Sequence, residues 1–193
     1  MVNNKLSFND RKQLYNNIST PQTIWMKCVD HIASTLQLLS HSKCRSIVEL
    51  GCHDGSLAVE CLTRLQTSYY KTQYSWTGYD IASSPIKKHL RFKRVLLKEQ
   101  LWETNVEPFD IYVSSHTLEH LYAEEIVKLI EWLSSKCKYV IVCVPLRPGL
   151  ENPHGNHLLN KGFIWLRTQF NNSDFKVVWE TGRYFGWYRN LRL

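Results

Sequence analysis

Ile47-Val48-Glu49-Leu50-Gly51-Cys52-His53-Asp54-Gly55 decides the fold. The run from Ser46 to Leu50 is a short strand that stops at a glycine. Beyond Gly55, Ala58, Cys61, Leu62 and Leu65 recur at the i, i+3, i+4, i+7 spacing of a helix face. A strand that feeds a glycine turn into a helix start lets the backbone come close to a ligand. The free amides and dipole of the helix N-terminus then favour that ligand's negative group. Gly51 to Gly55 are therefore read as a ligand-holding turn, with Glu49 an acid at its edge.

Working outward, the same alternation repeats. Tyr74 to Asp80 reads as a second strand, Phe92 to Leu97 as a third, Phe109 to Ser114 as a fourth and Tyr139 to Val144 as a fifth. Ile126, Leu129, Ile130 and Leu133 mark a helix between the last two. A helical turn is expected at Lys87 to His89, and a helix from Asn160 to Phe170. Phe175 to Glu180 and Tyr184 to Tyr188 read as two more strands around Thr181-Gly182-Arg183. Upstream, Thr20-Pro21 has the chemistry of a helix start, and apolar spacing carries that helix to about Leu39. A shorter helix is expected over Ser7 to Asn17. Strands alternating with helices predict an α/β fold with a largely parallel sheet. The apolar runs Phe109–Val113 and Tyr139–Val144 fit strands buried on both faces. Only the last two strands are joined tightly enough for an antiparallel edge. In such sheets ligands bind at the C-terminal strand ends, and an acid ending the second strand accepts hydrogen bonds from ribose hydroxyls. Asp80 holds that position.

With 193 residues, 44% hydrophobic and 21% charged, the chain is long enough for one domain with its own core. No apolar run approaches the roughly 20 residues that span a bilayer, and Met1 to Lys12 is too polar for a signal peptide. The six cysteines form no C-x-x-C pair. They read as reduced core residues, which points to the cytoplasm. A formal net charge of +7 favours a polyanionic partner without establishing one.

These pieces together resemble the class I S-adenosylmethionine (SAM)-dependent methyltransferases. The resemblance runs from Arg45 to Leu193. It rests on Glu49-x-Gly51-x-x-x-Gly55, on Trp76-Thr77-Gly78-Tyr79-Asp80, on Phe109 through Leu121, and on the terminal hairpin. It implies a Rossmann-like seven-stranded, mostly parallel sheet with an antiparallel final hairpin and helices on both faces. Residues 1–40 would form a helical cap on a 45–193 core, in a single domain. It also implies SAM as cofactor and S-adenosylhomocysteine as product. Glu49 would help anchor the methionine amino end. The turn through Gly51, Cys52, His53 and Gly55 would wrap the methionine. Asp80 would hold the ribose, Ile81 would pack on adenine, and Ser115 and His116 would lie beside the sulfonium. His53 stands where the family turn often carries a second glycine.

His116, Glu119 and His120 follow the fourth strand, and His154 and His157 follow the fifth. Three readings stay open. His116, His120 or His157 serves as base or orients the acceptor. Alternatively, Glu119 and His120 tie down loops. In the third, His116, Glu119, His120 and His157 hold a divalent metal, a set similar to the Glu-x-x-Glu-His segment and later His of small-RNA 2′-O-methyltransferases. The expected function is methyl transfer to oxygen or nitrogen of a small-molecule acceptor, with no protein-bound metal. A nucleic-acid acceptor is the alternative. Lys87, Lys88, Arg91, Lys93, Arg94 and Lys98 crowd one stretch with no acid. The N-P-P-[YF] motif of amino-methylating DNA enzymes is missing after the fourth strand. A non-catalytic SAM-binding subunit is the third possibility.

Overall fold

The computed structural model describes residues 6–16, 22–67, 73–83, 85–144, 159, 163–173, 175–181 and 184–189. Its elements run α1 (Phe8–Asn16), α2 (Gln22–Leu39), β1 (Ser46–Leu50), α3 (Ser56–Thr67), β2 (Ser75–Asp80), β3 (Phe92–Leu96), β4 (Ile111–Ser115), α4 (Ala123–Lys136), β5 (Tyr139–Cys143), α5 (Phe163–Asn171), β6 (Phe175–Thr181) and β7 (Tyr184–Arg189). The strands lie in the order β3-β2-β1-β4-β5-β7-β6. β1 to β5 pair in parallel, and β7 runs antiparallel to both neighbours. The order reverses between β1 and β4, so a crevice opens at their C-terminal ends.

Strand alternation sorts the core into two layers. Val48, Tyr112, Val140 and Val142 face α4 and α5. Ile47, Trp76, Ile111, Val113, Ile141 and Cys143 face α2 and α3. The sheet is therefore covered on both faces, which is why its central strands are so apolar. Among the described residues no helix is long and apolar enough to cross a membrane.

Some boundaries differ from the sequence reading. Lys87 to His89 form no helical turn. The described part of the β2–β3 connection is irregular, and the Lys87 amide donates to the Asp54 carbonyl at 2.7 Å. β4 begins at Ile111 rather than Phe109, because Asp110 is drawn to β1. Its Oδ2 accepts from the Arg45 and Ser46 amides at 2.8 and 3.1 Å and from Ser46 Oγ at 3.0 Å. Its Oδ1 accepts from Lys138 Nζ at 2.9 Å. Three single-turn 3₁₀ segments, Ser40–Ser42, Leu101–Glu103 and Leu118–His120, go beyond the sequence reading. α1 is tied to α4 by a bidentate pair, Arg11 to Glu125 at 2.7 and 2.8 Å. The expected start of α2 at Thr20-Pro21, and Asn160, lie outside the described residues.

Asp110 thus clamps the N-terminal ends of three adjacent strands. Burial alone would raise its carboxyl. The Arg45 and Ser46 amides and Lys138 outweigh that and hold it down at about 2. A depressed carboxyl stabilises the fold fully above its unfolded value, and that stability is lost as pH falls toward 2. Asp110→Asn should cost about 1–2 kcal/mol at pH 7 in urea melts. The gap to wild type should narrow steadily as the melts are repeated from pH 4 downward.

Candidate functional site

The turn after β1 takes three left-handed steps, at Gly51 (φ +79°), His53 (φ +46°) and Gly55 (φ +79°). The end of β2 grips it. The Tyr79 carbonyl accepts the Gly51 amide at 2.8 Å, and Asp80 Oδ2 accepts the His53 amide at 2.6 Å. Asp80 Oδ1 takes the Ala82 amide at 2.7 Å. From β3, the Arg94 guanidinium donates to the His53 carbonyl at 3.0 Å. Asp54 then caps α3 by accepting from the Ser56 amide at 2.9 Å. A Cβ at Gly51 would collide with the Thr117 side chain, and one at Gly55 with the Phe92 ring. Both positions therefore need glycine for space as well as for conformation. His53 has no such neighbour requirement. It accepts the left-handed backbone and points a partly exposed ring toward Asp54, with Nδ1 3.9 Å from Oδ1.

Glu49 lies at the floor of this turn, 2% exposed, and accepts a hydrogen bond from Trp76 Nε1 at 2.9 Å. Burial pushes its carboxyl up to about 8, helped by Asp80 and Asp54 and opposed by Trp76. It is thus a buried acid without a cationic partner among its hydrogen bonds, close to neutral at pH 7. Cys52 is buried against the open face of Gly78, and burial drives its thiol upward. Ile81 is half-buried on the α4 side of the core.

On the opposite lip, Ser115 ends β4 and His116 follows in a left-handed conformation, φ +53°. His116 Nδ1 is 3.3 Å from Oε1 of buried Glu119, and Nε2 is 3.6 Å from Cys143 Sγ. Burial alone would lower His116, but hydrogen bonding to Cys28 and Glu119 takes it up to about 10. His120 closes the 3₁₀ turn, its amide donating to the Thr117 carbonyl at 3.0 Å. Leu159 is fastened there too, its amide donating to the Glu119 carbonyl at 3.1 Å. His154 and His157 lie outside the described residues.

Of the expected metal set His116, Glu119, His120 and His157, the last lies outside the described residues, and the other three do not gather as metal donors by themselves. Among the described residues the set that does is Cys28, His116 and Cys143. Sequence reading missed both cysteines. Strand alternation alone places Cys143 on the face toward α2, but nothing local says that Cys28 meets it there. Thr117 and Arg94 were also missed, since their roles depend on approaches across the sheet.

Two neighbours in one turn should respond oppositely to substitution. Gly51→Ala should cost about 2 kcal/mol or more, combining backbone strain with a collision against Thr117. His53→Gly should change stability by less than about 1 kcal/mol, because relief of the left-handed backbone offsets the greater freedom gained by the unfolded chain. Chemical denaturation of both variants reads the contrast.

No family model matches the chain, and no curated protein does. Solved structures do. A magnesium protoporphyrin IX methyltransferase from Synechocystis PCC 6803 with bound SAM is 14% identical, with a TM-score of 0.64 over 98% of this chain and 100% of that one. Human N-acetylserotonin methyltransferase in complex with SAM is 16% identical, with a TM-score of 0.64 over 95% of this chain and 56% of that one. A small RNA methyltransferase is 15% identical, with a TM-score of 0.61 over 90% of this chain and 26% of that one. The chain has the fold of the class I SAM-dependent methyltransferases.

Proposed function

We propose that the chain is a SAM-dependent methyltransferase that methylates an oxygen or nitrogen of a small-molecule acceptor. One observation carries this reading. A buried carboxyl lifted to about 8, a turn that a Cβ at either glycine would block, and an acid ending β2 converge on one crevice. The donor set suits SAM, which has an ammonium, a carboxylate and a ribose diol. Bound there, it would supply a methyl group on a sulfonium. Glu49 would meet the ammonium through the turn or a water. Gly51, Cys52, His53 and Gly55 would offer backbone to the methionine. Asp80 retains lone pairs beyond its two amide bonds and would accept from the ribose hydroxyls. Ile81 would lie on the adenine, with Ser115 and His116 near the transferring carbon. Transfer to carbon's new partner is an in-line displacement, so the protein's main contribution is alignment. His116, already bonded to Glu119, is held in one orientation for the acceptor, and His120 and His157 would complete that wall. Two neighbours crystallised with SAM are named for small-molecule acceptors.

A polyanionic acceptor is the second reading. Lys87, Lys88, Lys93 and Lys98 are all exposed beside the turn that Lys87 helps hold, and a small RNA methyltransferase shares the fold. Affinity for RNA that falls steeply with salt would favour it.

A thermal melt with SAM and S-adenosylhomocysteine tests the first reading. At a hundredfold excess over Kd, either should add about 2.7 kcal/mol, several degrees in Tm. Asp80→Asn should lose most of that shift. No shift in wild type at millimolar ligand overturns the reading.

Glu49 gives a further check with a definite sign. A carboxyl raised from 4.5 to about 8 in the fold makes the unliganded protein lose stability as pH rises between those values. Glu49→Gln should flatten that slope. Bringing an ammonium beside Glu49 should release close to one proton at pH 7, read by titration calorimetry in buffers of different ionisation enthalpy. Glu49→Gln should release none.

A further inference from the structure

Cys28 on α2, Cys143 at the end of β5 and His116 after β4 come together although the chain separates them widely. Their donor atoms all lie within 4.8 Å of one another. The two sulfurs are 2.9 Å apart, and Cys143 Sγ is 3.6 Å from His116 Nε2. Both cysteines are buried and outside any disulfide, while His116 keeps an edge toward solvent.

We propose that these three residues form a zinc-type metal site, Cys₂His, with one position left for water or another ligand. The proposal stands on this geometry and does not depend on methyl transfer. Zinc takes sulfur at about 2.3 Å and imidazole nitrogen at about 2.0–2.1 Å, so tetrahedral donors sit about 3.6 Å apart for S and N and about 3.8 Å for two S. The S–N pair already has its spacing. The sulfurs need to part by less than about 1 Å, and a cation between them gives two crowded thiols a reason to do so.

The surroundings carry a second, independent sign. Histidines that bind metal through one nitrogen commonly donate the other N–H to a carboxylate, which fixes the tautomer. Here Glu119 Oε1 sits 3.3 Å from His116 Nδ1 and leaves Nε2 turned to Cys143. Glu119 is 1% exposed, and its Oε2 has no hydrogen-bond partner among the described residues. A buried carboxylate placed behind the imidazole makes sense as the outer support of a metal-bound histidine. Two thiolates and an imidazole select a thiophilic ion such as zinc over magnesium. Each thiol and the His116 imidazolium Nε2 give up any proton they carry to solvent as they bind the ion, while the Nδ1–H stays turned to Glu119. The bound ion would fasten α2 to the ends of β4 and β5, drawing the N-terminal helices onto the crevice.

The test titrates Co²⁺ into the reduced, metal-free full chain. One equivalent should bind with a thiolate-to-cobalt charge-transfer absorption, Zn²⁺ should displace it, and Mg²⁺ should not. Cys28→Ser and Cys143→Ser should each abolish the absorption, whereas Cys137→Ser, a buried thiol elsewhere in the core, should keep it. His116→Asn is the third variant, because asparagine tolerates the left-handed backbone at that position. It should weaken binding even if a serine variant fails to fold. Glu119→Gln should keep the absorption and lower affinity about 10–100-fold. Failure of the wild type to take up Co²⁺ overturns the proposal. So does a mass two hydrogens lower, reporting a Cys28–Cys143 disulfide that excludes metal, and so does undiminished binding in Cys28→Ser.

Discussion

The backbone corner between β1 and α3 is the constraint on which the rest depends. Three residues in five are left-handed, His53 against the preference of its side chain, and other strands hold the shape. Tyr79 and Asp80 hold it from β2, Arg94 from β3, and Thr117 and Phe92 pack where Cβ atoms would otherwise stand. The site is therefore a property of the sheet edge and not of a loop. β2, β3 and the segment after β4 all contribute to the corner, and the order of strands reverses between β1 and β4 in front of it.

Burial of acids is the second theme. The chain carries a formal net charge of +7, yet Glu49 on β1, Asp80 at the end of β2 and Glu119 just after β4 are all nearly inaccessible. Asp80 is satisfied by backbone amides, Glu49 by one indole N–H, and Glu119 by an imidazole on one oxygen. Asp80 is the best satisfied of the three. An acid with incomplete partners in a buried place is where a cation gains most. Lys87, Lys88, Lys93 and Lys98 stand exposed on the β2–β3 connection, on β3 and just beyond it.

Much of the fold was legible because it rests on local signals. Helical spacing of Ala58, Cys61, Leu62 and Leu65, the apolar run of Tyr139–Val144, and glycine at 51 and 55 each announce their element without help from elsewhere. The residues proposed to meet the cofactor stand out in sequence for the same reason, since they sit in or beside the turn. What stayed hidden depends on contacts between distant segments. β4 starts late because Asp110 serves β1. Lys87 to His89 stay irregular because the Lys87 amide is taken by Asp54. The meeting of Cys28 with Cys143 requires knowing both the helix's rotation and the strand's facing side. Periodicity supplies each side chain's face but not which faces meet.

The described β2–β3 connection carries no helix, and β3 is the outermost strand on its side. A parallel sheet's rim is normally roofed by its crossover helix, and here Leu90, Ile86 and Leu96 are left in the open. Such a rim offers unpaired amides and carbonyls to any other chain with a strand to donate, the start of aggregation. Exposed lysines at 87, 88, 93 and 98 stand along it. Charge at that spacing makes two copies repel before their edges can zip together. Lysines on an exposed edge strand are one of the ways such a rim is kept from pairing with another copy.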